Sequence, residues 1–108
     1  MNIKVVSKRN LSSELGWSDV YVGRPFPLGN PFAMKSEADR ETVVAAYRIW
    51  LWAEIKNESS KARAELFAIA RRVKAGESIR LVCWCKPLAC HADIIVSAVN
   101  WLIASEQV

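Results

Sequence analysis

The sequence predicts an α/β fold: a small layered domain in which a short, mainly parallel sheet of three to four strands is flanked by three helices. Short β-branched runs alternate with longer stretches of helical periodicity, the pattern that builds a sheet covered by helices. A chain of 108 residues is long enough for one apolar core and too short for two. Hydrophobic residues make up 52% and charged residues 24%, the balance of a globular chain and not of a disordered one. Residues 1–108 are therefore read as a single domain.

The elements follow in order. Ile3, Val5 and Val6 mark a first strand over residues 3–6, and the polar stretch 7–18 reads as its exit loop. Asp19-Val20-Tyr21-Val22 repeats the strand signal and stops at Gly23. Pro25, Pro27 and Pro31, with Gly29 and Asn30 between them, exclude helix and regular strand, so residues 23–32 form a shaped loop. Ser36 or Asp39 can cap a long first helix running to about Lys56, along which Val43, Tyr47, Trp50, Leu51 and Glu54 keep helical spacing. After a break at 57–60, Ala62, Leu66, Ile69, Ala70 and Val73 mark a second amphipathic helix that Gly76 terminates. Residues 79–85 return to strand, with Ile79, Leu81, Cys83 and Cys85 on one side and Arg80, Val82 and Trp84 on the other, until Pro87 stops it. Residues 92–104 are apolar almost all round, which predicts a central, largely covered last helix. Trp50 and Trp101 are expected in the core.

The formal net charge of +4 favours anionic partners: phosphates, nucleotides or nucleic acid. Lys8-Arg9 and Arg71-Arg72 are pairs and not runs, the pattern of a solvated face. The start of the chain does not read as a signal peptide, and no run approaches the roughly 18 apolar residues that span a bilayer, so the expected location is cytoplasmic, with no membrane partner. In a reducing compartment three clustered cysteines read as metal ligands, catalytic groups or buried apolar residues before they read as disulfides.

The chemistry concentrates in residues 83–91. Cys83, Cys85, Cys90 and His91 together make a Cys3His set of the kind that holds zinc. Against this, strand residues two apart have Cα atoms roughly 6.5 to 7 Å apart, so Cys83 and Cys85 reach one ion only if the strand bends. A second reading puts Cys90 and His91 at the amino end of the last helix, where unpaired N–H groups and the helix dipole favour a thiolate or a bound phosphate. Cys90 is then a nucleophile, His91 a general acid or base, and Asp93 either orients His91 or is an acid or base itself; its plainer role is a first-turn carboxylate. Cys83 alone is most simply a small buried hydrophobe. In the loop, Arg24 offers a planar fork for carboxylate or phosphate and Asn30 both a donor and an acceptor; equally, the two can serve only the turn. Trp84 can line a pocket or cover the sheet.

Three segments carry a resemblance: Val20-Tyr21-Val22-Gly23-Arg24-Pro25 with Leu28-Gly29-Asn30-Pro31-Phe32, then Tyr47-Arg48-Ile49-Trp50-Leu51, and finally Leu81-Val82-Cys83-Trp84-Cys85-Lys86-Pro87 with Cys90-His91-Ala92-Asp93. In order and in combination they resemble domain-of-unknown-function family 4326 of bacteriophages and bacteria. The resemblance implies that Arg24, Gly29, Asn30, Cys85, Cys90, His91 and Asp93 belong to one site. It also implies a phage or bacterial source, and it names no reaction. Ala92 stands where the family pattern usually has glycine.

The expectation is thus a domain that binds a phosphorylated small molecule, such as a nucleotide or nucleoside derivative. Its ligand contacts come from Arg24, Gly29, Asn30, Trp84 and Cys85, and its chemistry, where there is any, from Cys90, His91 and Asp93. Two rivals stand beside it. One is a structural zinc module on Cys83, Cys85, Cys90 and His91 that contacts protein or nucleic acid; the other is a phage protein that sequesters a host ligand without turnover.

Overall fold

A computed structural model describes residues 2–84 and 90–108. Strands β1 (Ile3–Ser7), β2 (Trp17–Tyr21) and β3 (Ser78–Cys83) form a parallel sheet in the order β1-β3-β2. Helices α1 (Arg40–Ile55), α2 (Lys61–Lys74) and α3 (His91–Ala104) complete the expected α/β layers. The strand signal at 79–85 is met by β3 through Cys83, with the last residue of the signal outside the described ones, and the helices begin and stop within a few residues of their sequence signals.

The sheet is amphipathic because side chains alternate along each strand. Ile3, Ile79, Leu81 and Cys83, with Val22 just past β2, enter one apolar core together with Tyr47, Leu51, Leu66, Ile69, Ile95, Val99 and Leu102 of the three helices. Ser60 caps α2 by accepting the Arg63 N–H at 3.1 Å. At the other end of α2, Gly76 adopts φ +100°, a left-handed value that turns the chain back into β3.

The opposite face of the sheet carries an ion cluster. β1 and β2 are parallel and flank β3, so residues 8–16 must run back along the sheet, and that link is too short for a helical crossover. It carries one 3-10 turn, Lys8–Asn10, and lays Glu14 across the sheet. In register across the three strands stand Lys4, Arg80 and Asp19. Asp19 accepts from Arg80 Nε at 2.6 Å and Nη2 at 2.8 Å, while Glu14 accepts from Lys4 Nζ at 2.8 Å and from Arg80 Nη1 at 3.5 Å. Glu14 thereby offsets the repulsion of two neighbouring cations. The hydrogen bonds from Arg80 hold the Asp19 carboxyl below the usual carboxylate range.

α3 departs from expectation at one residue. Its inward stripe is Ile95, Val99 and Leu102, and Trp101 falls off that stripe, 42% exposed, edge-on to Trp52 of α1 at 4.8 Å. Among the described residues no helix is long and apolar enough to cross a membrane.

Asp19 is the principal anion for a side chain that is only 6% exposed. Asp19→Asn should therefore lower the urea midpoint of unfolding more than Glu14→Gln does, because only the first leaves the Arg80 guanidinium covered and weakly paired. Equal midpoints for the two variants would show that the ion cluster is solvated.

Candidate functional site

The site begins where β2 runs out. Val22 donates its N–H to the Val82 carbonyl at 3.1 Å, and the chain then leaves the sheet. Two successive turns follow: Phe26 N–H donates to the Gly23 carbonyl at 3.1 Å and Gly29 N–H to the Phe26 carbonyl at 2.8 Å. The Arg24–Pro25 peptide bond is cis. A Cβ on Gly29 would stand 2.9 Å from both the Arg24 nitrogen and the Phe26 oxygen, so the folded loop leaves no room for a side chain there.

Arg24 closes the loop from outside. Its Nε donates to the Asn30 carbonyl at 2.7 Å and its Nη2 to the Phe32 carbonyl at 3.0 Å. The Asn30 Oδ1 accepts the Phe32 N–H at 2.9 Å, an Asx turn. From below, the buried Tyr47 hydroxyl of α1 donates to the Leu28 carbonyl at 2.7 Å. Burial raises the Tyr47 hydroxyl far above the ordinary tyrosine range, so it stays a neutral donor.

The second half of the site is the start of α3. Cys90 is its N-cap: the sulfur accepts the Ala92 N–H at 3.5 Å, and the Asp93 carboxylate accepts the Cys90 N–H at 3.2 Å, a reciprocal capping box. His91 is 7% exposed, and both its ring nitrogens are engaged. Nε2 lies 2.7 Å from the Val22 carbonyl, which can only accept, so Nε2 carries the proton. Nδ1 is left with a lone pair 3.5 Å from Cys90 Sγ. The Tyr47 ring meets the imidazole edge-on at 5.1 Å between centroids. Burial pulls the His91 pKa below its ordinary value, the Val22 bond opposes that shift, Arg24 adds to it and Asp93 counters it. A neutral imidazole facing a thiol follows. Cys83, at the end of β3, places its sulfur 3.1 Å from that of Cys90.

These pieces enclose a cavity of about 310 Å³. The loop contributes Gly23, Arg24 and Asn30, with Phe32 and Met34 beyond it; α1 contributes Arg40, Val43 and Val44; and the sheet ends contribute Tyr21, Cys83 and Trp84 beside Cys90 and His91. Trp84 is 48% exposed and donates from Nε1 to the Tyr21 hydroxyl at 3.2 Å. The Lys8 ammonium lies over both rings, 4.8 Å from that of Tyr21 and 5.4 Å from that of Trp84.

Arg24, Asn30, Trp84, Cys83, Cys90 and His91 thus surround one hollow, although they come from opposite ends of the chain. Gly29 does not line it and instead makes the loop's tight turn. Asp93 does not line it either: its carboxylate caps α3, and His91 is oriented by the Val22 carbonyl. Cys85, named both for ligand binding and for the zinc set, lies outside the described residues. Among the described residues no three His, Cys, Asp or Glu side chains are grouped to hold a metal ion. Periodicity did not single out Tyr47, Arg40, Phe32 and Met34 as site residues. Tyr47 carried the one available signal, a hydroxyl on a buried helical stripe that requires a partner.

Two outcomes test this geometry. Tyr47→Phe leaves the buried Leu28 carbonyl without its donor and should cost about 1–3 kcal/mol in urea unfolding, with faster amide exchange over residues 23–32; unchanged exchange would show that the loop holds itself. The second concerns pH. With a folded pKa below the ordinary 6.5, His91 binds fewer protons folded than unfolded, so stability is complete above that value and declines as pH falls through it. The urea midpoint should drop on acidification below about pH 6.5, and His91→Gln should lose that part of the slope.

No curated protein and no solved structure matches the chain. A family model does match, over residues 5–101, a span that takes in the loop and the Cys-His turn together. The chain belongs to the family described as Domain of unknown function (DUF4326).

Proposed function

We propose that this cavity binds a phosphorylated small molecule, such as a nucleotide or nucleoside derivative, and presents Cys90 to it as a thiol nucleophile. One observation carries the reading. The loop of Arg24 and Asn30 and the helix start of Cys90 and His91 line the same hollow, so cationic, aromatic and nucleophilic groups converge there. Its volume of about 310 Å³ lies at the small end of ligand pockets and suits a mononucleotide better than a dinucleotide. Tyr21, Phe32, Met34 and Trp84 offer faces for a flat ring, and Arg24, the amino end of α3 and Arg40, which also donates to the Glu37 carboxylate from Nε and Nη2 at 2.8 Å, favour an anion.

In this reading the protein's own groups move one proton. His91 Nδ1 takes the Cys90 thiol proton, while Nε2–H stays on the Val22 carbonyl and fixes the ring. The positive end of α3 supports the thiolate that results, and the sulfur adds to an electrophilic double-bonded carbon of the ligand, whose π electron pair takes the proton back from His91 Nδ1.

Titration calorimetry with nucleoside 5′-monophosphates and with the matching nucleosides tests the binding half. The phosphorylated forms should bind tighter. Arg40→Gln should weaken them by roughly ten- to a hundredfold, the worth of a charge-assisted hydrogen bond, and Glu37→Gln, which removes the partner carboxylate of Arg40, should not; Arg24 is a poorer probe, because its loss also opens the loop. Cys90→Ser should leave binding intact and abolish conversion of the ligand, followed by mass spectrometry. Turnover that survives Cys90→Ser refutes the nucleophile, and equal affinity for nucleoside and nucleotide refutes the anion site. Stoichiometric zinc in the purified chain, lost on Cys85→Ser, would replace this reading with the structural metal module.

A further inference from the structure

The contact between two sulfurs carries a chemistry that ligand binding does not use. Cys83 and Cys90 are each 1% exposed, and both line the cavity, which is the side from which a small molecule would approach them. Their sulfurs stand 3.1 Å apart, and a disulfide of about 2.05 Å requires them to close by roughly 1 Å. Each is held by regular structure, Cys83 as the last residue of β3 and Cys90 as the N-cap of α3. The two are not equivalent. Both belong to the core cluster, and among the described residues the Cys90 sulfur has an imidazole nitrogen at 3.5 Å and accepts a helix N–H.

We infer that Cys90 and Cys83 form a peroxide-reactive pair, with Cys90 the attacking thiol and Cys83 the resolving one. The Cys90 proton passes to His91 Nδ1, and the thiolate attacks one oxygen of a hydroperoxide. The sulfur–oxygen bond forms, the oxygen–oxygen bond breaks, and the leaving oxygen departs as hydroxide, which recovers the proton as water (or as the alcohol, for an alkyl hydroperoxide). Cys90 is now a sulfenic acid. The Cys83 sulfur attacks the Cys90 sulfur, a sulfur–sulfur bond replaces the sulfur–oxygen bond, and the second hydroxide leaves with the Cys83 proton as water. Two thiols are oxidised and one peroxide is reduced, so atoms and electrons balance. Proximity makes the second step intramolecular, and it competes with further oxidation of the sulfenic acid. This inference does not rest on the ligand reading, because the reaction is followed on the ligand-free chain.

Mass spectrometry of the intact chain after one equivalent of hydrogen peroxide tests it. The expected result is loss of two hydrogens, reversed by dithiothreitol. Chymotrypsin separates the three cysteines onto fragments ending at Trp84, at Leu88 and at Trp101, so the non-reduced digest identifies the partners. Cys83 should be joined to Cys90, Cys85→Ser should leave that link in place, and Cys83→Ala should take up oxygen and form no link. The wild-type digest decides the matter even if a variant fails to fold. A Cys85–Cys90 link, or oxygen uptake by the wild-type chain without cross-linking, overturns the assignment.

Discussion

The hydrogen bond from His91 Nε2–H to the Val22 carbonyl is the constraint on which the site depends. Val22 is the point at which the chain leaves β2 and enters the loop, and His91 is the first residue of α3. One bond therefore fixes where the loop starts relative to the helix, and it also selects the tautomer that leaves Nδ1 as an acceptor toward Cys90. Both groups are buried, so breaking the bond leaves a carbonyl and a ring nitrogen unsatisfied away from water. Such a bond is hard to lose without losing the arrangement around it.

Around this bond the loop is over-determined. Tyr47 holds Leu28 from beneath, Arg24 ties Asn30 and Phe32 from outside, and Asn30 caps the turn with its own side chain. These contacts account for the residue types without reference to a ligand, and they have a functional consequence as well. A cavity whose polar groups are already positioned loses little conformational freedom when a ligand arrives. Arg24 shows the two roles together, since its guanidinium lines the hollow while two of its nitrogens serve backbone carbonyls.

Much of the fold could be read from the residues because the strong signals are local. Alternation in 79–85, the helical stripes through Tyr47 and Leu66, and Gly76 after α2 each report a backbone state directly. The convergence of Arg24 and Asn30 with Cys90 and His91 was also accessible, since ligands gather at the carboxyl ends of parallel strands, and both segments follow such an end. Roles were harder to read than places. Gly29 looks the same in a sequence whether a ligand or its own loop fills the space beside it, and Cys-His-Ala-Asp has the spacing of a capping box as well as that of an acid–base group. The partner that orients His91 is a backbone carbonyl, which no side-chain pattern can advertise. Trp101 misled for a related reason: an apolar residue on an apolar helix reads as core until the inward stripe is known to be full.

The position of Cys90 brings these levels together. Its backbone N–H and side chain are committed to starting α3, which fixes the sulfur to within the tolerance of a helix cap and leaves the thiol little rotamer freedom. The neutral imidazole on one side and the Cys83 sulfur on the other then define two directions in which its proton and its electron pair can go. The thiol is buried, and the cavity it lines is also lined by Arg24, Arg40 and Trp84. The two proposals, an anion with a flat ring and a small uncharged peroxide, place different visitors at the same sulfur. In the proposed reading the walls select the first, and a ligand seated against Cys90 would cover the thiol that a peroxide must reach.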